Sequence, residues 1–249
     1  MEDTSLKSPL AIIKDACALA FRREHVWLFL VLGAAPQIVS IVFSAVVGYY
    51  GGLFDAQTSL SQFFTSTGGL GVAAAIVGLV MVVVGLSVAS IWYTAFLYHV
   101  YAGVALGKKL TITGAMQLAW GSLKRLFLTY LKVSIVTGLG YLFLIVPGVL
   151  FTVWYLFAPL AAVVEEDAVD AMAQSKRMVK GRFWKLVGRS LVLLLLYTAP
   201  QYALSFLHPY AGVAWQVTSP IFGLMYMLLY LDFKRTYITT PMVPQVQPL

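Results

Sequence analysis

Charge is scarce in this chain. Only 11% of its 249 residues are Asp, Glu, Lys or Arg, against about 25% in an ordinary soluble domain. That shortage, beside 60% hydrophobic residues, excludes a disordered chain and argues strongly against a soluble enzyme. Cysteine is almost absent: Cys17 stands alone, so no intramolecular disulfide can form. The N-terminus lacks the pattern of a secretory signal, because Glu2 and Asp3 come first and the first long apolar run begins only at Val26. The expectation is that this end stays in place. Catalytic signatures are missing too. The sequence has no HExxH, no GxSxG and no GxxxxGK[ST], and its three histidines are far apart. Zincin, nucleophile-elbow and P-loop chemistries therefore lack support. No catalytic residue, metal ligand or cofactor site is expected.

Long apolar runs are what the chain has in abundance. A membrane-spanning helix needs about 20 mostly apolar residues. Residues 26–50, 71–94, 126–146, 149–164, 186–207 and 213–231 qualify, the fourth being short. The second run extends to residue 106. As one helix it would be about 57 Å long against a core of about 30 Å, so one span with a helical extension fits better than two. Pro147-Gly148 between the third and fourth runs reads as a tight turn. The expected fold is all-α: six transmembrane helices arranged as three hairpins.

The 17 Lys and Arg residues orient the spans. With six spans, all fall on one side or within reach of it, and the intervening loops 51–68, 147–148 and 208–212 carry none. By the positive-inside rule both termini are cytoplasmic. Lys132 and Arg189 sit one or two turns inside their spans, near enough to snorkel. No other charged residue falls within a predicted span, which weakens any reading as an ion-driven transporter.

Three stretches before the odd-numbered spans look alike. Residues 8–23 open with Ser8-Pro9, a helix cap followed by proline. Residues 111–125 and 167–182 follow the same plan. Each has apolar residues at helical spacing, then basic residues, then an aromatic: Arg22-Arg23 and Trp27, Lys124-Arg125 and Phe127, Lys180, Arg182 and Phe183-Trp184. They read as amphipathic helices lying in the headgroups, one before each hairpin. The whole chain, 1–249, is then a single integral membrane domain. Its repeat units are about 8–107, 111–166 and 167–235, and 236–249 forms a flexible tail.

Polar and small residues inside this frame carry alternative readings. Gly71, Gly78 and Gly85 recur every seven residues on the second span. They suit close helix packing, within the monomer or across a homodimer seam. Pro36, Pro159, Pro200 and Pro220 fall inside spans. Gln37 and Gln201 directly follow two of them, and Gln216 sits on the sixth span. These amides either satisfy carbonyls freed by proline or line a polar cavity. Glu165, Glu166, Asp167 and Asp170 precede Lys176, Arg177, Lys180, Arg182, Lys185 and Arg189. Acid at the start and base at the end suit a well-capped interfacial helix. The same segment also suits an anionic phospholipid headgroup. The net charge of +7 is spread along a membrane border, so the expected partners are membrane lipids, with a protein partner or a second copy, and no nucleic acid.

Ile145-Val146-Pro147-Gly148-Val149, then Trp154, Pro159, Glu165, the run Ala171-Met172-Ala173-Gln174-Ser175 and the run Lys180-Gly181-Arg182-Phe183-Trp184 resemble a bacterial membrane domain. It is the one fused to some glycerophosphodiester phosphodiesterases, with stand-alone relatives in the YciC-like inner-membrane family. The similar stretch is about 45 residues. Gln174 stands where the family pattern has a basic residue. The resemblance implies a six-span inner-membrane protein linked to lipid metabolism or envelope homeostasis. The phosphodiesterase activity belongs to a separate soluble domain that these residues do not encode. The sequence thus points to a non-enzymatic, lipid-associated scaffold or accessory protein, with a transporter or flippase for a lipid or amphiphile as the alternative.

Overall fold

A computed structural model describes residues 6–53, 68–108, 111–165 and 170–239. Among them every regular element is a helix. In chain order these are α1 (Pro9–Ala20), α2 (Val26–Leu53), α3 (Gly68–Ala105), α4 (Ile112–Phe143), α5 (Ile145–Trp154), α6 (Ala158–Val164), α7 (Ala171–Val179), α8 (Phe183–Leu207), α9 (Pro209–Gln216) and α10 (Ser219–Thr239). Five helical segments are long and apolar enough to cross a membrane: Val80–Ala105, Ile112–Phe143, Ile145–Val164, Phe183–Leu207 and Ala214–Ile238. This is the composition of a multi-pass membrane protein. A shorter apolar stretch, Val26–Val42, belongs to α2.

The second run is a single helix. α3 has 38 residues and is about 57 Å long at 1.5 Å per residue. Other expectations change. Residues 111–125 do not form a separate interfacial helix but are the first turns of α4, a continuous 32-residue helix. No glycine or proline breaks the backbone ladder where Lys124-Arg125 meets Leu126, so the helix runs on. Thr111 caps it, its hydroxyl accepting from the Gly114 N–H at 3.2 Å. The first and third stretches are separate helices. Ser8 Oγ caps α1 from the Ala11 N–H at 3.2 Å. α7 begins at Ala171, not near 167, with Asp170 as its cap accepting from the Met172 N–H at 3.1 Å. Gly181, at φ +80, makes the left-handed exit that separates α7 from α8, a backbone state costly for any residue with a Cβ.

Pro147-Gly148 is not the turn. The chain bends at Leu144, which is extended at φ −160 and ψ 144. Pro147 lies in the first turn of α5, where its missing N–H costs nothing. Gly148 lies inside α5 and faces α4, where a Cβ would collide with the Tyr141 ring. Glycine lets α4 and α5 touch. The expected fourth span is broken: α5 stops at Trp154, and α6 starts at Ala158 with Pro159 in its first turn. The sixth is interrupted between Gln216 and Ser219, so Pro220 begins α10 instead of kinking a helix. α10 runs to Thr239, so 236–239 are helical and not tail. Residues 240–249 lie outside the described residues.

Burial is lopsided. Ile12, Ala16, Ala95, Tyr101, Ala115, Leu126, Phe157, Met178, Leu186, Tyr230 and Phe233 are all buried. They belong to the halves of their helices nearest the charged residues. In the opposite halves, Val80 to Val84 on α3, Leu142 to Val146, and Phe206-Leu207 on α8 are exposed. The protein builds its core at the charged end and leaves apolar side chains outward elsewhere. Lipid tolerates that exposure because each helix satisfies its own backbone.

Gly148→Val should destabilise the protein by about 1–3 kcal/mol through overpacking, read as a lower unfolding midpoint in detergent. Gly78→Val meets no atom within 4 Å and should leave the midpoint in place. Equal behaviour of the two variants would contradict the assigned α4–α5 contact.

Candidate functional site

The charged end is organised around one carboxylate. Glu165 follows α6 directly and caps its end, the backbone N–H bonding Ala161 O. Its side chain is only 18% exposed. Oε2 accepts from the Gln174 amide of α7, and Oε1 accepts from the Tyr230 hydroxyl of α10. Lys234, one turn further along α10, brings its ammonium to 3.0 Å from Oε1. The Glu165 carbonyl accepts from the Arg125 guanidinium of α4 at 3.3 Å. One residue therefore joins α4, α6, α7 and α10. Burial alone would raise the Glu165 pKa. The bonds from Gln174 and Tyr230 and the Lys234 ammonium outweigh it and hold the carboxyl below its ordinary value.

Ser175 closes the broken helix. Its side chain is fully buried. Oγ donates to Trp154 O at 2.7 Å and accepts from the Phe157 N–H at 3.2 Å. Both ends of the unwound segment 155–157 are thereby paired, as buried backbone groups must be. Phe157 then packs on Tyr230 and Phe233, with ring centroids 5.6 and 5.5 Å away. Lys176 places its ammonium 4.6 Å from the centre of the Trp154 ring, a cation–π contact on the same break.

The other basic residues of the segment divide. Arg182 donates to Thr236 O at 3.2 Å, tying the α7–α8 corner to α10. Arg189 does not snorkel freely. It donates to the carbonyls of Lys7 at 2.9 Å and Leu6 at 3.2 Å, while the Lys7 N–H donates to Asp232 Oδ2 at 2.9 Å. The N-terminal strap is thus fastened to α8 and α10. Lys180 and Trp184 point outward, Trp184 at 80% exposure. Glu166 and Asp167 lie outside the described residues.

The remaining candidates do not converge with Glu165. Gln37 lies on α2, Gln201 on α8 and Gln216 at the end of α9. The carbonyl freed by Pro36 is satisfied by a group other than a glutamine amide. The Tyr93 hydroxyl donates at 3.1 Å to Leu32 O, the carbonyl that Pro36 leaves without its helical partner. Trp215 Nε1 donates at 2.9 Å to Tyr197 O, three residues before Pro200. Gly78 and Gly85 face open space. The surroundings of Gly71 lie outside the described residues. Among the described residues no three of His, Cys, Asp and Glu come together as a metal site would require.

Sequence reasoning missed Tyr230, Lys234, Arg125 and Asp232. They are remote in sequence from their partners, and the first two lie on a helix that reads as an ordinary span. Ser175 carried a legible signal. It shares one helical stripe with the buried Ala171, Met178 and Val179, and a hydroxyl in an apolar stripe requires a partner.

Two outcomes follow. Ser175→Ala should cost about 1–3 kcal/mol by leaving buried backbone groups unpaired. Glu165 stabilises fully above the usual carboxylate range and loses that contribution as pH falls through its lowered pKa. Acid unfolding of the wild type should therefore contain a step that Glu165→Gln lacks, read by intrinsic fluorescence. Identical acid profiles would contradict the account. In comparisons with protein-family models, curated proteins and solved structures, nothing matches this chain.

Proposed function

We propose that this chain is a non-enzymatic, lipid-associated scaffold or accessory protein of a bacterial inner membrane. It has six spans, α2 being the sixth, and cytoplasmic termini. Three hairpins follow one another, two of them entered by a separate interfacial helix, α1 and α7. Membership of the YciC-like family, related to the membrane domain of glycerophosphodiester phosphodiesterases, is part of the same proposal. It rests on the residues 145–189 that resemble that family.

One observation carries the scaffold reading. The polar groups around the broken helix are consumed by the protein itself. Ser175 pairs both edges of the break, and Glu165 is paired with Gln174, Tyr230 and Lys234. A transport site needs polar groups that exchange partners with a substrate. Here exchange would open a node joining four helices. The outward-facing Arg22, Arg23, Lys124, Lys180 and Lys185 remain available to anionic headgroups, each contributing about 1 kcal/mol near a charged leaflet.

A transporter or flippase is the second reading, and the broken α5–α6 helix beside a carboxylate favours it. Scrambling of a fluorescent phospholipid in liposomes separates the two. The scaffold reading predicts the rate of empty liposomes, together with anionic phospholipid enriched in the protein purified with native lipid. Faster scrambling that Glu165→Gln abolishes would overturn it in favour of transport.

A further inference from the structure

A second place at the charged end is built differently. A cavity of about 620 Å³ opens between the α1–α2 turn, the end of α3 and the start of α4. That volume lies within the range of small-ligand sites, about 300–1,000 Å³. Leu19, Leu28, Val100, Val104, Ile112 and Ala115 form its apolar wall. Arg22, Lys108, Glu24 and His25 stand along the same cavity. Backbone bonds fix the two cations' segments. The Lys108 N–H donates to Gly103 O at 2.9 Å, closing the α3 C-terminus, and the His25 and Val26 N–H groups donate to Arg22 O at 2.8 and 3.0 Å. The positive end of the α4 dipole points the same way.

The cations here differ from Arg182, Arg189 and Lys234, which are bound to protein carbonyls or carboxylates. Arg22 and Lys108 are exposed and line an opening that is half apolar in character. Two cations face one carboxylate, so the rim favours an anion. Apolar wall and cationic rim in one cleft match a molecule that is apolar at one end and a phosphate at the other. We propose that this cleft binds one anionic glycerophospholipid, which rests on the lipid-associated reading above and gives it a place and a stoichiometry. Arg22 and Lys108 hold the phosphodiester. Glu24 accepts from a headgroup hydroxyl, and the first acyl carbons lie along Leu28, Val100 and Val104.

Native mass spectrometry of the full chain in detergent, titrated with phosphatidylglycerol or phosphatidylethanolamine, tests the site. One phosphatidylglycerol should be retained in preference to phosphatidylethanolamine. Arg22→Gln with Lys108→Gln should weaken retention about thirtyfold. Lys14→Gln with Lys132→Gln, equal in charge and absent from the cleft lining, should change it less than about twofold. Ile112→Trp, at a position already 60% exposed, should weaken retention by narrowing the cleft while leaving every charge in place. Equal losses from the two charge pairs would overturn the cleft and leave a diffuse lipid-facing border. No preference for phosphatidylglycerol in the wild type would overturn the lipid-associated reading as well. Competition by soluble glycerol 3-phosphate at matched concentration would assign the site to a free phosphate compound and overturn the lipid.

Discussion

A broken helix must be closed by something other than itself. Where α5 gives way to α6, the chain loses helical hydrogen bonds inside an apolar setting, and each unpaired group there would cost several kcal/mol. The repair comes from α7, through Ser175. α7 must then be held in place, and Gln174 does so by reaching Glu165. Glu165 in turn requires a counter-charge, which α10 supplies as Lys234 with Tyr230 beside it. One backbone defect thus recruits two further helices, α7 and α10, in succession. The contacts form a closed chain, so removing one member exposes the polar groups of the next.

The packing asymmetry follows from the same constraint. Hydrophobic burial gives little drive between helices in lipid, where association depends on close packing and polar contacts. The polar contacts of this protein lie at one end, and the core lies with them. Beyond that end, the helices present Val, Leu and Phe outward, as lipid-facing helices do. The N-terminal segment is secured by Arg189 and Asp232, so α1 joins the core instead of standing apart from it. Ile12, Ala16 and Ala20 are buried by that attachment.

Much of this architecture was legible in the sequence because its signals are local. Apolar runs of about 20 residues mark spans, and Ser8-Pro9 marks a helix start. The breaks were harder to read. Pro147 and Pro159 look like interruptions, yet each sits in a helix's first turn while the actual bends fall at Leu144 and at 155–157. Proline announces a boundary without saying on which side it lies. The separate helix expected at 111–125 failed because an amphipathic stretch and a span can share one uninterrupted ladder. The Glu165 node was illegible in its partners. Glu165 and Lys234 are 69 positions apart, and no periodicity relates α6 to α10. Glu165 itself stood out, but as an interfacial acid and not as the knot of the fold.

The central claim is that Glu165 and Lys234 act as one interaction on which the charged end depends. A double-mutant cycle on reversible unfolding in bicelles, with Glu165→Gln, Lys234→Met and the pair, measures it directly. The account predicts a coupling of about 1–2 kcal/mol, with each single variant as damaging as the double. Additive effects with no coupling would contradict it, and would make Glu165 a surface acid whose contacts leave the fold indifferent.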